Sequence, residues 1–156
     1  MIAVGKLFRN SSLSNQHDHE YLRAHPEVLI FSDLAVRDGR TRVAVGPHGN
    51  IVGFATWLVT ESAIELEDLF VDPQWMRQGI GRELVDDAAA IAQAQSFDRI
   101  EVTANPHALG FYTSTGFVVD RMVETDFYPA PRMYRALPAR GLVAPTYRGH
   151  GGPNGD

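Results

Sequence analysis

Cysteine is absent from the 156-residue sequence. Its absence excludes disulfides, thiolate metal sites and a cysteine nucleophile, and it is compatible with a reducing cytoplasm. Long apolar runs are absent too, because no stretch approaches the roughly 18 residues that a membrane-spanning helix needs. The first residues also lack the apolar stretch and the cleavage site of a secretory signal. We therefore expect a cytoplasmic protein without a membrane partner.

Basic residues form no dense cluster anywhere in the chain. Lys and Arg together number 14 against 19 Asp and Glu, which gives a formal net charge of -5. Nucleic-acid-binding proteins usually carry a basic face that neutralises phosphates, so we expect no nucleic-acid partner. The hydrophobic share of 44% and the charged share of 21% are those of an ordinary globular domain. The acidic balance slightly favours a cationic amine as ligand.

The spacing of apolar residues predicts a mixture of strands and helices. The predicted strands cover 41–45, 51–59, 63–71, 99–104, 117–126 and 132–137. The predicted helices are two short ones within 11–36, a long amphipathic one over 79–95, and a short one that Asn105 caps and that ends before Gly116. We expect one domain over 1–137. Residues 138–156, with five glycines and three prolines, are expected to form a tail.

Two glycines, Gly79 and Gly81, lie where the third strand leads into the long helix. Glycines at this position let backbone N–H groups approach an anion, and the first turn of a helix favours negative charge. Arg77 and Arg82 could add charge contacts to a pyrophosphate. A simple tight turn is the alternative. A Rossmann motif is excluded because Leu84 occupies the place of its third glycine, and a P-loop is excluded because no Gly-Lys-Ser/Thr follows.

The segment from Val71 to Gly81 resembles the acyl-CoA-binding motif of the GNAT N-acetyltransferase superfamily, Gln/Arg-x-x-Gly-x-Gly/Ala. Met76 departs from the motif at its Gln/Arg position. The segment from Asn105 to Tyr112, followed by Gly116-Phe117, resembles the second motif of the family, Asn-x-x-Ala-x-x-Phe-Tyr-x-x-x-Gly-Phe. Together the two resemblances extend over about residues 40–137.

The resemblance implies a mixed α/β fold with a twisted, mainly antiparallel central sheet and helices on both faces. One pair of strands should run parallel and splay apart at its C-terminal ends. The implied activity is transfer of an acetyl group from acetyl-CoA to a primary amine of a small molecule or a peptide, by direct attack in a ternary complex. No metal is implied, and a homodimer is a possible assembly.

The resemblance also implies which residues hold coenzyme A. The candidates are Leu69, Phe70 and Val71 for the pantetheine arm; Met76, Arg77, Gln78, Gly79, Ile80, Gly81 and Arg82 for the pyrophosphate; and Asn105 and Phe111 in the second motif. The resemblance makes Tyr112 the general acid near the thioester sulfur, with a packed core aromatic as the alternative. Asn105 is equally interpretable as a helix cap.

An amine near pKa 10.4 is almost fully protonated at pH 7, so a group must take its proton. Glu65, Glu67 and Asp68 lie on the strand that enters the glycine turn. We favour Glu67 as the base, directly or through water, with Glu65 as second choice. Glu65 and Glu67 share a face if the strand is regular, and a bulge would change this. A solvated strand edge is the alternative for each.

Other interpretations remain at this point. His17, His19 and His25 show no conventional zinc pattern, so we expect no metal. His107 lies within the second motif and is interpretable as a surface residue. A non-catalytic acyl-CoA-binding module and an unrelated nucleotide-binding domain are the rival functions.

Overall fold

The computed structural model describes Gly5 and residues 33–139. Most of the region predicted as two short helices therefore lies outside the described residues, as do the three histidines before position 26 and the tail beyond 139. The last part of that region is described, and it forms helix α1, Leu34–Arg37. Among the described helices, none is long and apolar enough to cross a membrane.

The described strands form one mixed sheet. They are β1 (Thr41–Val45), β2 (Ile51–Val59), β3 (Ile64–Val71), β4 (Arg99–Thr103), β5 (Val118–Val123) and β6 (Ala130–Ala136). Their spatial order is β1-β2-β3-β4-β6-β5. The β3–β4 pair is parallel, and the other neighbours in this sheet are antiparallel. The mixed α/β, mainly antiparallel sheet predicted from the sequence is confirmed.

Helix α2, Ile80–Ala94, connects the two parallel strands and covers one face of the sheet. Its buried side chains recur at helical spacing and include Leu84, Val85 and Ala88. They pack on alternate residues of the parallel strands, including Ile64 and Ile100, which are fully buried. Burial of an aliphatic side chain of this size contributes about 1.5–3 kcal/mol. This core fixes where the first turn of α2 meets the end of β3.

The parallel ladder is short, and the two strands splay beyond it. It consists of the pairs Ile64↔Ile100, Glu65↔Glu101 and Leu66↔Val102, whereas β3 continues to Val71. The predicted splay is thus confirmed. We call the space between the two strands beyond these pairs the splay gap.

A β-bulge in β3 marks the beginning of the splay gap. Trp57 pairs with Leu66 and the adjacent Thr56 pairs with Asp68, which leaves Glu67 as the extra residue. A bulge bends its strand and shifts the alternation of side chains. Because β3 is not a regular strand at this point, Glu65 and Glu67 are not expected to share a face.

Helix α3, Leu109–Ser114, follows a 3-10 turn over Pro106–Ala108.

The last two strands differ in their bounds from the prediction. β5 ends at Val123, because Thr125 Oγ1 accepts hydrogen bonds from the backbone N–H groups of Phe127 and Tyr128 and holds a turn. β6 already includes Pro131, whose carbonyl accepts a hydrogen bond from the Ala104 N–H at 2.9 Å.

Candidate active site at the splayed strands

The residues of both sequence motifs converge at the splay gap. The loop after β3 leads into the N-terminus of α2 on one side, and the turn after β4 leads into α3 on the other. The carboxyl ends of parallel strands lie at one edge of a sheet, so these two loops are neighbours. The predicted pantetheine-contacting residues Leu69, Phe70 and Val71 form the end of β3, and all three are half-buried.

The glycine loop presents the start of α2 to open space. Asp72 Oδ1 accepts a hydrogen bond from the Gln74 N–H at 2.9 Å and begins the turn. Arg77 and Gly79 then adopt left-handed backbone angles, with φ of 62° and 87°. Gly79 precedes the first residue of α2, Ile80, and a Cβ at Gly79 would meet no atom within 4 Å. A helix N-terminus that opens outward in this way fits a pyrophosphate.

Gly81 has a different local role from Gly79. A Cβ at Gly81 would lie 3.1 and 3.2 Å from two ring atoms of Phe111. The absence of a side chain therefore makes room for the Phe111 ring, which packs α3 against the first turn of α2. Close packing between the two motifs explains this glycine as well as an approaching anion does, and the sequence reasoning did not foresee the packing.

The polar residues around the glycine loop have distinct partners. Arg82 donates to the Ser114 carbonyl at 2.9 Å and so supports the end of α3. Gln78 donates to the Gln74 carbonyl at 3.3 Å. Met76 is 48% exposed at the mouth of the loop. Arg77 makes no hydrogen bond or ion pair among residues 33–139, so of the two predicted arginines it is the one that can turn to a phosphate.

Tyr112 lies on α3 and is 7% exposed. Its ring makes edge contacts with Phe111 and Phe117, at centroid distances of 5.1 and 5.3 Å. Within the described part of the chain no group hydrogen-bonds its hydroxyl. Burial, with a smaller contribution from the Asp68 carboxylate, raises the pKa of Tyr112 to about 12. The hydroxyl therefore keeps its proton at every physiological pH.

Glu65 is held by an arginine from another strand. Arg132 on β6 donates to both carboxylate oxygens of Glu65, with Nη2 to Oε2 at 3.0 Å. The same guanidinium donates to Glu101 and, at 3.0 Å, to Thr103 Oγ1. Arg132 thereby joins β3, β4 and β6 just before the splay gap.

Glu67, the bulge residue, has a weaker partner. Its carboxylate lies 3.6 Å from Arg40 Nη1, and its side chain is 39% exposed. Arg40 also donates to the Trp57 carbonyl and, at 3.1 Å, to Asp38. Burial and then the neighbouring Asp68 carboxylate raise the pKa of Glu67, while Arg40 lowers it. A carboxylate with a raised pKa and access to solvent can accept and release a proton.

Asp68, the third acidic residue of β3, has a hydrogen-bond partner on β2 that the sequence alone does not indicate. The Thr56 hydroxyl donates to its Oδ2 at 2.6 Å, and Thr56 itself is fully buried. Burial raises the pKa of Asp68 despite this hydrogen bond. The signal in the sequence is the pair of successive acidic residues inside an apolar strand, because two polar neighbours break strict alternation and indicate a bulge.

Asn105 caps the turn after β4 and also holds the loop between β5 and β6. Its side-chain oxygen accepts from the His107 N–H at 2.9 Å. Its Nδ2 donates to the Tyr128 hydroxyl at 2.7 Å. Tyr128 is thus a neighbour of the site that sequence reasoning missed. No three His, Asp or Glu side chains come together as metal ligands over 33–139.

A family model described as "Acetyltransferase (GNAT) family" matches residues 7–117, which is most of the chain. The chain belongs to this family. Membership confirms the family resemblance and the enzyme class, N-acetyltransferase, that the two motifs predicted.

Two curated relatives of this GNAT chain are similar over part of their lengths. Peptidyl-lysine N-acetyltransferase YjaB from Salmonella typhimurium strain LT2 is 34% identical over 112 residues, 69% of this chain and 72% of the relative. Streptothricin acetyltransferase from Streptomyces lavendulae is 36% identical over 85 residues, 51% of this chain. The match spans 45% of the streptothricin relative, less than half its length.

Solved structures show the same GNAT fold. The PaiA N-acetyltransferase from Thermoplasma acidophilum, in complex with coenzyme A, has a TM-score of 0.66 at 18% identity, over 86% of this chain and 91% of its own. A nourseothricin acetyltransferase has a TM-score of 0.58 at 23% identity, over 65% of this chain and 68% of its own.

Proposed function

We propose that this GNAT domain transfers an acetyl group from acetyl-CoA to a primary amine of a small molecule or a peptide, by direct attack in a ternary complex. The observation that carries the proposal is the splay gap, with the open N-terminus of α2 beside Gly79 on one side and helix α3, which carries Tyr112, on the other. A thioester lying in this gap would have its phosphates near the helix N-terminus and its sulfur near Tyr112.

The described residues fit coenzyme A as a cosubstrate. The loop from Met76 to Arg82 would hold the pyrophosphate through backbone N–H groups and Arg77. The pantetheine arm would lie beside Leu69, Phe70 and Val71, in the manner of an added strand. Phe111 would form a wall of the gap, and Asn105 would hold the turn that borders it. The PaiA relative carries coenzyme A in its own structure, which supports this assignment.

Tyr112 would stabilise the departing thiolate. A thiol with an ordinary pKa of about 8.5 and a tyrosine with a pKa of about 12 differ by about 3.5 units, or roughly 5 kcal/mol for full proton transfer. Complete transfer is therefore strongly uphill. A hydrogen bond from Tyr112 that strengthens as charge builds on sulfur avoids this cost.

Glu67 would take the proton of the acceptor amine, directly or through water. Its raised pKa brings it closer to the operating pH, and its partial exposure gives the proton a route to solvent. Glu65 remains the second choice, because its two oxygens are both engaged by Arg132.

The names of the two curated relatives suggest which class of acceptor to propose for this chain. Their names give streptothricin as the acceptor in one case and a peptide lysine in the other. A peptide lysine presents a primary amine, which is the acceptor group proposed for this chain.

An acceptor screen tests the proposal. The full chain would be incubated with acetyl-CoA and streptothricin, a lysine-containing peptide, polyamines, amino acids and aminoglycosides, and released thiol would be measured. We expect thiol release above background with at least one of these amines. Tight acetyl-CoA binding without thiol release from any amine would favour a non-catalytic acyl-CoA-binding module. Stronger thermal stabilisation by NAD or ATP than by coenzyme A would favour a nucleotide-binding domain.

A further inference from the structure

Two glutamates lie directly opposite each other on the parallel strands. Glu65 on β3 pairs with Glu101 on β4, one pair before the ladder ends at Leu66↔Val102. Both face away from α2, because the alternate residues of their strands pack in the core with that helix. Like charges directly opposite each other on neighbouring strands repel. By itself this pair would therefore push β3 and β4 apart where the splay gap begins.

Arg132 of β6 compensates this repulsion. Its guanidinium donates to both oxygens of Glu65, to Glu101 and, at 3.0 Å, to Thr103 Oγ1. Thr103 is the first residue of β4 beyond the last parallel pair, and it pairs with Arg132 in the sheet. Because Arg132 is largely buried, its contacts are shielded from water and stronger than those of a surface ion pair. The guanidinium thus spans the point at which the two strands separate.

The two glutamates do not depend equally on Arg132. Glu101 also has Arg99 at 2.8 Å, whereas for Glu65 the one ion-pair partner among residues 33–139 is Arg132. Loss of Arg132 would leave Glu65 facing Glu101 without a cation between them. The neighbouring pair, Leu66↔Val102, is the last of the ladder and the first that can open. Its opening would move the closed end of the splay gap by one residue, about 3.3 Å.

The closed end of the splay gap is also where the acyl group of a bound thioester would lie. In the proposed arrangement the pyrophosphate is at the glycine loop, and the pantetheine arm passes Val71, Phe70 and Leu69 in turn. The arm therefore runs along β3 toward the last parallel pair, and the acyl carbons lie beyond the sulfur in the same direction. Leu66 and Val102 are both buried there, so a longer acyl chain meets packed side chains and paired backbone.

We propose that Arg132 sets the depth of the splay gap and thereby restricts the acyl donor to short acyl-CoAs. The inference rests on the proposed acetyl transfer and extends it to the choice of acyl group. Arg132 acts through Glu65 and Glu101 on the separation of the strands and touches no reacting atom, so it is a positioning residue. Acetyl-CoA is the preferred donor, propionyl-CoA comes next, and the closed ladder disfavours butyryl-CoA and longer donors.

A comparison of acetyl-CoA with butyryl-CoA tests the proposal. The kcat/KM of the full chain would be measured for each donor with a lysine-containing peptide or streptothricin as acceptor, and the Kd of each donor by calorimetry. For the wild type we expect kcat/KM to be about 100-fold or more higher for acetyl-CoA, because two added methylenes must enter a packed site. In Arg132→Met this ratio should fall about tenfold or more. An unchanged ratio in Arg132→Met would overturn the proposal.

Two further variants decide the question if Arg132→Met folds poorly. Arg132→Lys keeps the charge but lacks the planar fork that bridges both glutamates, so it should also lower the ratio. Arg132→Met/Glu101→Gln removes the repulsion instead of compensating it, so the ladder should close again and the ratio should return toward the wild-type value. A wild-type ratio in Arg132→Lys, or a double variant with a ratio no higher than that of the single variants, would contradict the role of Arg132.

Arg121→Met is the matched control. Arg121 pairs with Arg132 across β5 and β6, but it makes an exposed ion pair with Asp120 and contacts neither glutamate. The control removes a side chain of the same length from the neighbouring strand and should keep the wild-type ratio. A fall in the ratio as large as that in Arg132→Met would mean that loss of either arginine has the same effect, which would overturn the specific role of Arg132.

The outcomes separate this inference from the function on which it rests. Absence of thiol release with every amine of the screen contradicts the proposed function. The Kd values then still test the role of Arg132, because binding alone reports whether the longer acyl chain fits. Wild type should bind butyryl-CoA about tenfold more weakly than acetyl-CoA, and Arg132→Met should bind the two within about threefold of each other. A protein that acetylates a probe, and whose kcat/KM and Kd ratios do not change in Arg132→Met, contradicts this inference alone.

Discussion

Tyr112 combines a buried ring, a hydroxyl without a hydrogen-bond partner among residues 33–139, and a pKa of about 12. Tyr112→Phe removes only the oxygen, so the ring contacts with Phe111 and Phe117 should survive. We expect kcat to fall about ten- to a thousandfold, with little change in acetyl-CoA affinity, because the hydrogen bond strengthens only as the thiolate forms. Steady-state kinetics and calorimetric binding measure the two quantities.

Tyr134→Phe is the matched control for this prediction. Tyr134 lies on β6 opposite Glu101, and its hydroxyl is not part of the proposed site. The control should keep the wild-type kcat. A Tyr112→Phe variant as active as the Tyr134→Phe control would reduce Tyr112 to a core aromatic.

Ionisation of Asp68 should destabilise the native state, whereas ionisation of most acidic residues stabilises it. Its native pKa is raised above the ordinary value of 3.8, so the native state binds the proton more tightly than the unfolded state. The contribution of Asp68 to stability is therefore present at low pH and is lost as pH rises above about 4 through the raised native pKa. We predict that the Tm of Asp68→Asn minus that of wild type increases between pH 4 and pH 7. A constant or decreasing difference would contradict the raised pKa of Asp68.

The two glycines of the first motif belong to one element, the start of α2, and yet should respond differently to alanine. Gly79 has a φ of 87° and open space around it, so Gly79→Ala strains the backbone by about 1–2 kcal/mol without a clash. Gly81→Ala instead places a methyl group 3.1 Å from the Phe111 ring. Both variants should weaken coenzyme A binding, measured by calorimetry.

Two further variants separate the two causes. Gly79→Asn should bind coenzyme A better than Gly79→Ala, because asparagine tolerates the left-handed region. Phe111→Leu should recover part of the loss in Gly81→Ala by making room for the methyl group. Unchanged affinity in both alanine variants would remove the glycine loop as the pyrophosphate site.

The elements themselves could be predicted because their signals are local. The apolar spacing from Ile80 to Ala94 depends on one helix, and the Asn105-Pro106 start of the second motif depends on a cap. The partner of Glu65 could not be predicted, because Arg132 reaches it only through the register of β3, β4 and β6. The hydrogen bond between Thr56 and Asp68 could not be predicted either, because it depends on a bulge at which the alternation of side chains fails.

At the scale of the whole sheet, Arg132 is the residue that joins three strands. It binds Glu65 on β3 and both Glu101 and Thr103 on β4, and its side chain is 15% exposed. Arg132→Met leaves Glu65 without a cation and Glu101 with Arg99 alone, and we expect a loss of about 2–4 kcal/mol in the free energy of unfolding, measured by urea titration. Arg121→Met, which removes an exposed ion pair with Asp120, is the control and should cost less than about 1 kcal/mol. Equal losses in the two variants would contradict the role of Arg132 in joining the three strands.

The central claim concerns the whole molecule. It is that the splay gap brings a thioester and a primary amine together for direct transfer. The most direct measurement is the stoichiometry of a reaction between acetyl-CoA and a lysine-containing peptide or streptothricin, with thiol followed by absorbance and the amine by mass spectrometry. We predict one N-acetyl group on the amine for each thiol released, and no acetylated protein when the amine is omitted. Thiol release without N-acetyl product, or binding of acetyl-CoA without either product, would contradict the account.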